Sequence, residues 1–335
     1  MKSLYPWQTG SWQALQGLRA RLPHAVLLQG AQGIGKLDLA LQFANSLLCR
    51  QPGDDGSPCG TCDACRWFEQ ESHPDFRLVQ PDALAASDEG EEKAGGKKPS
   101  REISVDQIRD LAAFANLSAH CGGHRIIVVY PAESMNNNAA NSLLKTLEEP
   151  TEHLLFLLVT HKPQQLLPTI LSRCLCLALP TPNRDLGSEW LAGLGIQNPE
   201  SALAQSGFAP LQALEWVQSG EGAEERSLLL AAIKQPNRMD ALALAESLQR
   251  GIPVHIIHCL QQWTHDLVSA KLAGAVRYFP EQSDALQKLA HGISMQALLR
   301  FQKELQEARR AAYHPLNPKL FLESLLISYR QLFAA

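Results

Sequence analysis

NSLLKTLEEPTEHLLFLLVTHKPQQLLPTILSRC, residues 141–174, holds three elements in a row. Ala140, Leu143, Leu144 and Leu147 recur at steps of three and four, which puts them on one helical face; Asn136 to Asn138 offer caps before it and Pro150 stops it. This pattern predicts an amphipathic helix lying on a sheet. Leu154 to Thr160 is a nearly unbroken apolar run, as in a strand covered on both faces of a parallel sheet, although a buried helical turn can have the same composition. Its expected place is the middle of that sheet. A second, short helix then leads to Arg173.

Upstream, Tyr5-Pro6-Trp7-Gln8 reads as a turn, Trp12 to Leu22 as a helix, and His24 to Gln29 (HAVLLQ) as a buried strand that ends on glycine. Gly30-Ala-Gln-Gly33-Ile-Gly35-Lys36-Leu37 has the G-x-x-x-x-G-K spacing of a phosphate-binding loop, set between that strand and a helical pattern over Leu37 to Leu48. Glycines in such a loop free backbone N–H groups to wrap phosphates at a helix N-terminus, and the lysine meets the outer phosphates. Gly30, Gly33, Gly35 and Lys36 are therefore candidate ligands of ATP or ADP. The next position should carry a hydroxyl for magnesium, and Leu37 has none. Phe76 to Gln80 (FRLVQ) reads as a second strand and His124 to Tyr130 (HRIIVVY) as a third. At the end of this third strand a P-loop ATPase keeps the carboxylates that organise magnesium and the attacking water. Here stand Tyr130-Pro131-Ala132-Glu133, and the first two neither bind metal nor accept a proton at neutral pH. Hydrolysis by this chain on its own is not expected.

LLKTLEEP, a strand, then TILSRC resembles the clamp-loader branch of the AAA+ ATPases. That resemblance implies an α/β RecA-like P-loop domain followed by all-α segments. It implies that Arg173 is an arginine finger, reaching ATP held by a neighbouring subunit; a guanidinium keeps its charge and offers a fork of donors to phosphate oxygens. Without the surrounding motif, the same arginine would read as one that satisfies carbonyls at a helix end. Thr160 matches the family's polar sensor of the phosphate end, and Glu133 falls where the family's last acid is structural. A nucleotide-sensing arginine of the lid has no counterpart near Gly207-Phe208-Ala209-Pro210. NPKLFLESLLISY, from Asn317, resembles the last helix of the family's oligomerisation collar.

The organisation expected is a RecA-like domain over 1–179, a small helical lid over 180–214 and a collar bundle over 215–335. Pro180 to Asp185 marks the first boundary, and helical segments separated by Gly, Pro or Asn follow it. Within the first domain, Ile103 to Leu117 reads as a helix with Ile108, Leu111, Ala112 and Ala115 inward. Residues 83–99 are small, acidic and then lysine-rich, and read as a mobile loop whose Lys93, Lys97 and Lys98 are solvated. His255, His258 and His265 lack a carboxylate constellation and read as core or surface residues, not metal ligands.

Cys49-x9-Cys59-x2-Cys62-x2-Cys65 is a zinc pattern interleaved with the turn residues Gly53, Gly56, Pro58 and Gly60. Four thiolates close a tetrahedral shell and leave no place for water, so a Zn2+ held there is expected to be structural, in a module over 49–65. Clamp-loader subunits of bacterial DNA polymerase III carry a similar insertion, commonly with eight residues in the first gap. The ninth residue here costs little closure entropy.

The chain has 335 residues, 45% of them hydrophobic, and a net charge of -4. Such a charge does not suit autonomous nucleic-acid binding, which needs a concentrated basic surface. The N-terminal segment lacks the apolar core of a signal peptide and no stretch approaches a membrane span, so a cytoplasmic location is expected. The function that the resemblance implies is a noncatalytic subunit of the DNA polymerase III clamp loader. Its partners would be the gamma/tau ATPase subunits, the delta subunit and, through the complex, the sliding clamp and primed DNA. Two alternatives are a self-sufficient DNA-dependent ATPase and a zinc-dependent DNA-binding module. The first conflicts with the absent carboxylates, the second with the lack of basic and aromatic interleaving in the cysteine cluster.

Overall fold

The structure, a computed structural model, describes residues 4–89, 99–121, 123–220, 222–312 and 317–333. The chain forms two compact units, Met1–Leu186 and Gly187–Ala335.

The first unit is built on five parallel strands, β1 (Ala25–Gln29), β2 (Phe76–Val79), β3 (Arg125–Val129), β4 (Leu154–Thr160) and β5 (Leu175–Ala178), in the order β2-β3-β4-β1-β5. β4 is central, and all of its residues are buried, as are those of β3. Strands covered on both faces have no polar alternation to keep, which is why these runs are continuously apolar. Around the sheet run α1 (Thr9–Gly17), α2 (Lys36–Leu48), α3 (Asp63–Glu69), α4 (Asp82–Glu89), α5 (Val105–Ala115), α6 (Asn137–Glu148) and α7 (Pro168–Leu171). The order and the P-loop after β1 make this a RecA-like AAA+ domain, as the sequence implied.

α6 starts where the Asn136 side chain accepts from the Ala139 N–H at 2.9 Å, and it buries Ala140, Leu143 and Leu147 with Leu144 half-buried beside them. α5 begins after Ser104, whose side chain and that of Gln107 cap each other's backbone, so Ile103 lies before the helix in a bridge to Met135. Its buried face takes Phe114, and Ala112 is only half-buried. Arg125 on β3 is buried and donates to the carbonyls of Phe114 and Ala115 and to Thr151 Oγ1. A cation there satisfies carbonyls that the last turn of α5 leaves open.

Three expectations change. β5 lies where no strand was read, because its four residues are mostly exposed and too short to carry a pattern. α3 forms inside the cysteine module. The loop expected over 83–99 opens as α4, whose first turn is closed by the Leu84 and Ala85 N–H groups donating to the Pro81 carbonyl at 2.9 and 3.2 Å. Residues 90–98, with Lys93, Lys97 and Lys98, lie outside the described residues.

The second unit is helical: α8 (Arg184–Gly193) enters it, followed by α9 (Pro199–Gln205), α10 (Pro210–Ser219), α11 (Ala223–Ile233), α12 (Ala241–Leu248), α13 (Pro253–Ala273), α14 (Ser283–Gly292), α15 (Met295–Ala311) and α16 (Pro318–Gln331). It has two apolar clusters, a small one around Leu191, Leu203, Phe208 and Ala213 and a larger one from Leu229 to Tyr329. α13 runs through the larger cluster and packs against α11, α14 and α15. Trp263 Nε1 donates to Tyr329 Oη at 2.8 Å, and Tyr329 Oη donates to the Ile233 carbonyl at 2.8 Å, so the two polar tips buried in this core are satisfied. Asp266 on α13 is fully buried and accepts the backbone N–H groups of Arg277, Tyr278 and Phe279 at 3.0, 2.8 and 2.9 Å. It shapes the connection from α13 to α14.

Candidate functional site

The glycine loop leaves β1 at Gly30 and enters α2 at Lys36. A Cβ on Gly30 would come within 2.7 Å of the Leu179 carbonyl oxygen, so this position admits only glycine. Gly35 has φ +81°, and a Cβ there would meet the Tyr5 ring at 2.6 Å. Gly33 lies in the turn between them. The loop rests on the Tyr5 to Gln8 segment: Trp7 Nε1 donates to the Ile34 carbonyl at 3.0 Å, and Gln8 Nε2 to those of Ile34 and Gly35 at 3.2 and 2.7 Å. Lys36 is buried, and its ammonium donates to the Gly30 carbonyl at 2.9 Å and to that of Ala31. Burial lowers its pKa to about 8, with Glu133 opposing the shift. Lys36 thus occupies the loop's own concavity, where it remains largely charged at pH 7.

At the end of β3, Glu133 binds the end of β4. Thr160 Oγ1 donates to Glu133 Oε2 at 2.8 Å and the His161 N–H to Oε1 at 3.0 Å, while the Lys162 N–H donates to Thr160 Oγ1 at 3.1 Å. Thr160 is fully buried by these partners. Burial, reinforced by Lys36, lowers the pKa of His161 to about 4, which leaves its ring neutral at pH 7. The carboxylate at this strand end therefore fastens two strands together. Neither Tyr130 nor Pro131 beside it offers a carboxylate for magnesium.

Arg173 follows α7 and is one-third exposed. Its Nη2 meets Glu148 Oε1, at the end of α6, at 2.6 Å, and Nη1 donates to the Thr169 carbonyl at 2.9 Å. The Glu148 side chain is about half-exposed, with 49% of its surface open. An ion pair in such a setting contributes roughly 0–1 kcal/mol. It orients the guanidinium without locking it, so a phosphate can compete for the same fork of donors.

The four cysteine sulfurs lie within 4.8 Å of one another, with Cys49 to Cys62 and Cys59 to Cys65 both at 3.9 Å. A tetrahedral zinc with bonds of about 2.3 Å requires sulfurs about 3.8 Å apart, so this set fits the ion. Cys49 Sγ accepts from the Gln51 and Cys59 N–H groups, and Cys59 Sγ from that of Cys62, at 3.3–3.4 Å. Bonds from the Thr61 backbone and side chain lower the Cys59 pKa to about 5, which favours a thiolate there. Among the described residues this is the one metal-ligand cluster; His255, His258 and His265 form none.

The model of the family described as "DNA polymerase III, delta subunit" matches residues 11–183, and that described as "DNA polymerase III, delta subunit, C terminal" matches 221–331. The DNA polymerase III subunit delta' of Pseudomonas aeruginosa is 36% identical over 352 aligned positions that cover 99% of each chain. The chain belongs to the DNA polymerase III delta-prime subunit family. The Escherichia coli delta' subunit is 31% identical across 68% of this chain and 65% of its own length. A Thermotoga maritima protein related to the DNA polymerase III gamma subunit aligns over 98% of this chain and 99% of its own, at 19% identity and a TM-score of 0.45.

Within this family member the structure adds residues that the sequence pattern did not single out. Gln8 and Trp7 brace the P-loop, and Glu148 holds Arg173. The signal for Glu148 was the first acid of LLKTLEEP, whose place on α6 gives no hint of a partner 25 residues on. No helix among the described residues is long and apolar enough to cross a membrane.

Proposed function

We propose that this chain is a noncatalytic subunit of the DNA polymerase III clamp loader that helps to load the sliding clamp onto primed DNA and supplies Arg173 to the ATP site of a neighbouring subunit. Its partners are the gamma/tau ATPase subunits and delta, with clamp and DNA reached through the complex. The observation that carries this is the pairing, in one delta-prime family member, of a one-third-exposed guanidinium after TILS with a nucleotide site that has Leu37 and Tyr130-Pro131 in place of magnesium-binding groups. The RecA-like domain over 1–179, lid over 180–214 and collar over 215–335 are the proposed parts; α10 continues through Ser219, which favours placing the second junction at the glycines that follow it.

The test is a loader reconstituted with its ATPase subunits and delta, assayed for DNA- and clamp-stimulated ATP turnover. Arg173→Ala at matched assembly should lower turnover about twofold or more, because an arginine finger contributes about 10³-fold at its own site while other sites remain intact. Unchanged turnover in an intact complex would leave Arg173 as a structural partner of Glu148 and refute the finger.

The retained Gly30, Gly33, Gly35 and Lys36 support ATP or ADP bound here as a structural ligand without turnover. Lys36 carries its charge below its folded pKa of about 8 and loses it above. Labelled ADP binding should therefore weaken as pH rises past 8 and be lost in Lys36→Ala. Absence of binding in both proteins at pH 7 would sink this reading.

A further inference from the structure

Between the two apolar clusters of the second unit lies a cavity of about 330 Å³, walled by α9, α10, α11 and the first turns of α13. Its polar groups come from two sides. The Trp216 ring forms one wall, flanked by the rings of His255 and His258 at 6.5 and 6.0 Å. Arg226 lies across it, with its guanidinium carbon 5.9 Å from the Trp216 ring and 5.4 Å from that of Phe279. Arg226 Nη2 donates to Gln262 Oε1 at 3.3 Å, but its Nε is buried without a partner. No described carboxylate pairs with this arginine; Glu225, which also lines the cavity, packs against Gly251.

An arginine keeps its charge even when burial disfavours it, so a largely enclosed guanidinium with neutral partners leaves attraction for an anion unused. The space beside it has the size of a small-ligand pocket, and such pockets combine apolar walls with a few convergent polar groups. Trp216 and the two imidazoles offer flat surfaces for a ring. Burial, with Arg309, Arg226 and His255 adding repulsion, lowers the His258 pKa to about 4, so near neutral pH it presents an uncharged ring. Val217 and Ile252, each 48% exposed, give the cavity an open apolar mouth.

We propose that this cavity binds a small planar aromatic carboxylate, with the ring against Trp216 and the carboxylate on Arg226. The site is built from residues of the second unit alone, and a ligand there would brace α9 and α10 against α11 and α13. The probe is indole-3-acetate, titrated into the full chain at pH 7.5 by calorimetry, with indole and acetate as separate controls. Saturable binding at submillimolar concentration is expected, and indole or acetate alone should bind at least about tenfold more weakly. Arg226→Gln should weaken indole-3-acetate by about tenfold. Ala223→Trp, at an exposed position on the cavity wall, should abolish binding while leaving the circular dichroism and melting temperature unchanged. No saturable binding by the unmodified chain at millimolar probe overturns the site, as does equal binding in the Ala223→Trp protein. Indole binding as tightly as indole-3-acetate overturns the role of Arg226.

Discussion

Stripping zinc with a strong chelator, or substituting Cys62→Ser, is expected to unfold the cysteine module and lower the melting temperature of the first unit. The module has little to hold it otherwise: within 49–65 the buried side chains are the two outer ligands Cys49 and Cys65 and the small Ala64. Beyond it, Phe68 contacts Phe76 with ring centres 4.4 Å apart and Trp67 meets the His73 ring edge-on at 6.0 Å, a thin aromatic anchor. Structural zinc supplies about 10–16 kcal/mol of apparent binding free energy at pH 7, far more than such a core contributes. The damage should spread inward, because Trp12 Nε1 donates to the Asp55 carbonyl at 3.1 Å and Arg19 Nη2 to that of Gly56 at 3.3 Å. Loss of the metal frees those anchors and exposes α1 and α2 beneath. Elemental analysis should find one zinc per chain, and limited proteolysis after chelation should cut first between Gln51 and Pro58. Zinc-free protein with unchanged melting and protease resistance would show that the sulfurs are packed thiols.

Asp266→Ala should be the most destabilising single substitution in the second unit outside its large apolar side chains. The aspartate is fully buried, and its two oxygens take three backbone N–H groups from residues 277–279. Alanine would leave those donors unpaired away from water, at a cost of about 1–3 kcal/mol each, less than additive, for a total of about 4 kcal/mol. That is a large share of the about 5–15 kcal/mol by which a domain is stable. Asp266→Asn keeps one acceptor oxygen but turns an amide N–H toward backbone donors, so its loss should fall between alanine and the unmodified chain. Urea melts followed by tryptophan fluorescence give the order. Equal stability of the two variants would mean that the loop repairs its own hydrogen bonds with water.

The central strands were legible because burial on both faces writes itself as an unbroken apolar run, as in Leu154 to Thr160. The cysteine cluster was legible for a related reason: metal ligation demands one residue type at short spacings, and local spacing survives in sequence. β5 was not, since an exposed edge of four residues imposes no burial pattern on Leu175 to Ala178. α3 was hidden because cysteine spacing dominated the pattern of Asp63 to Glu69. Nor were the contacts that shape the candidate sites. Glu133 with Thr160, Glu148 with Arg173 and Arg226 with Trp216 are meetings of separate elements, decided by how helices and strands pack. In the sequence Asp266 is one polar residue among several on α13; only the path of the chain after Ala273 reveals what it accepts.

The seat of Tyr5 to Gln8 beneath the glycine loop also bears on how the protein is produced. The Tyr5 N–H donates to Gln8 Oε1 at 3.2 Å and the Tyr5 hydroxyl to Asp38 Oδ2 at 3.2 Å, so this segment is fixed at Tyr5. A purification tag joined directly ahead of this segment would compete for that space and loosen the loop it supports. A tag carried on a flexible glycine-serine spacer would preserve it, and nucleotide titrations on the two forms belong side by side.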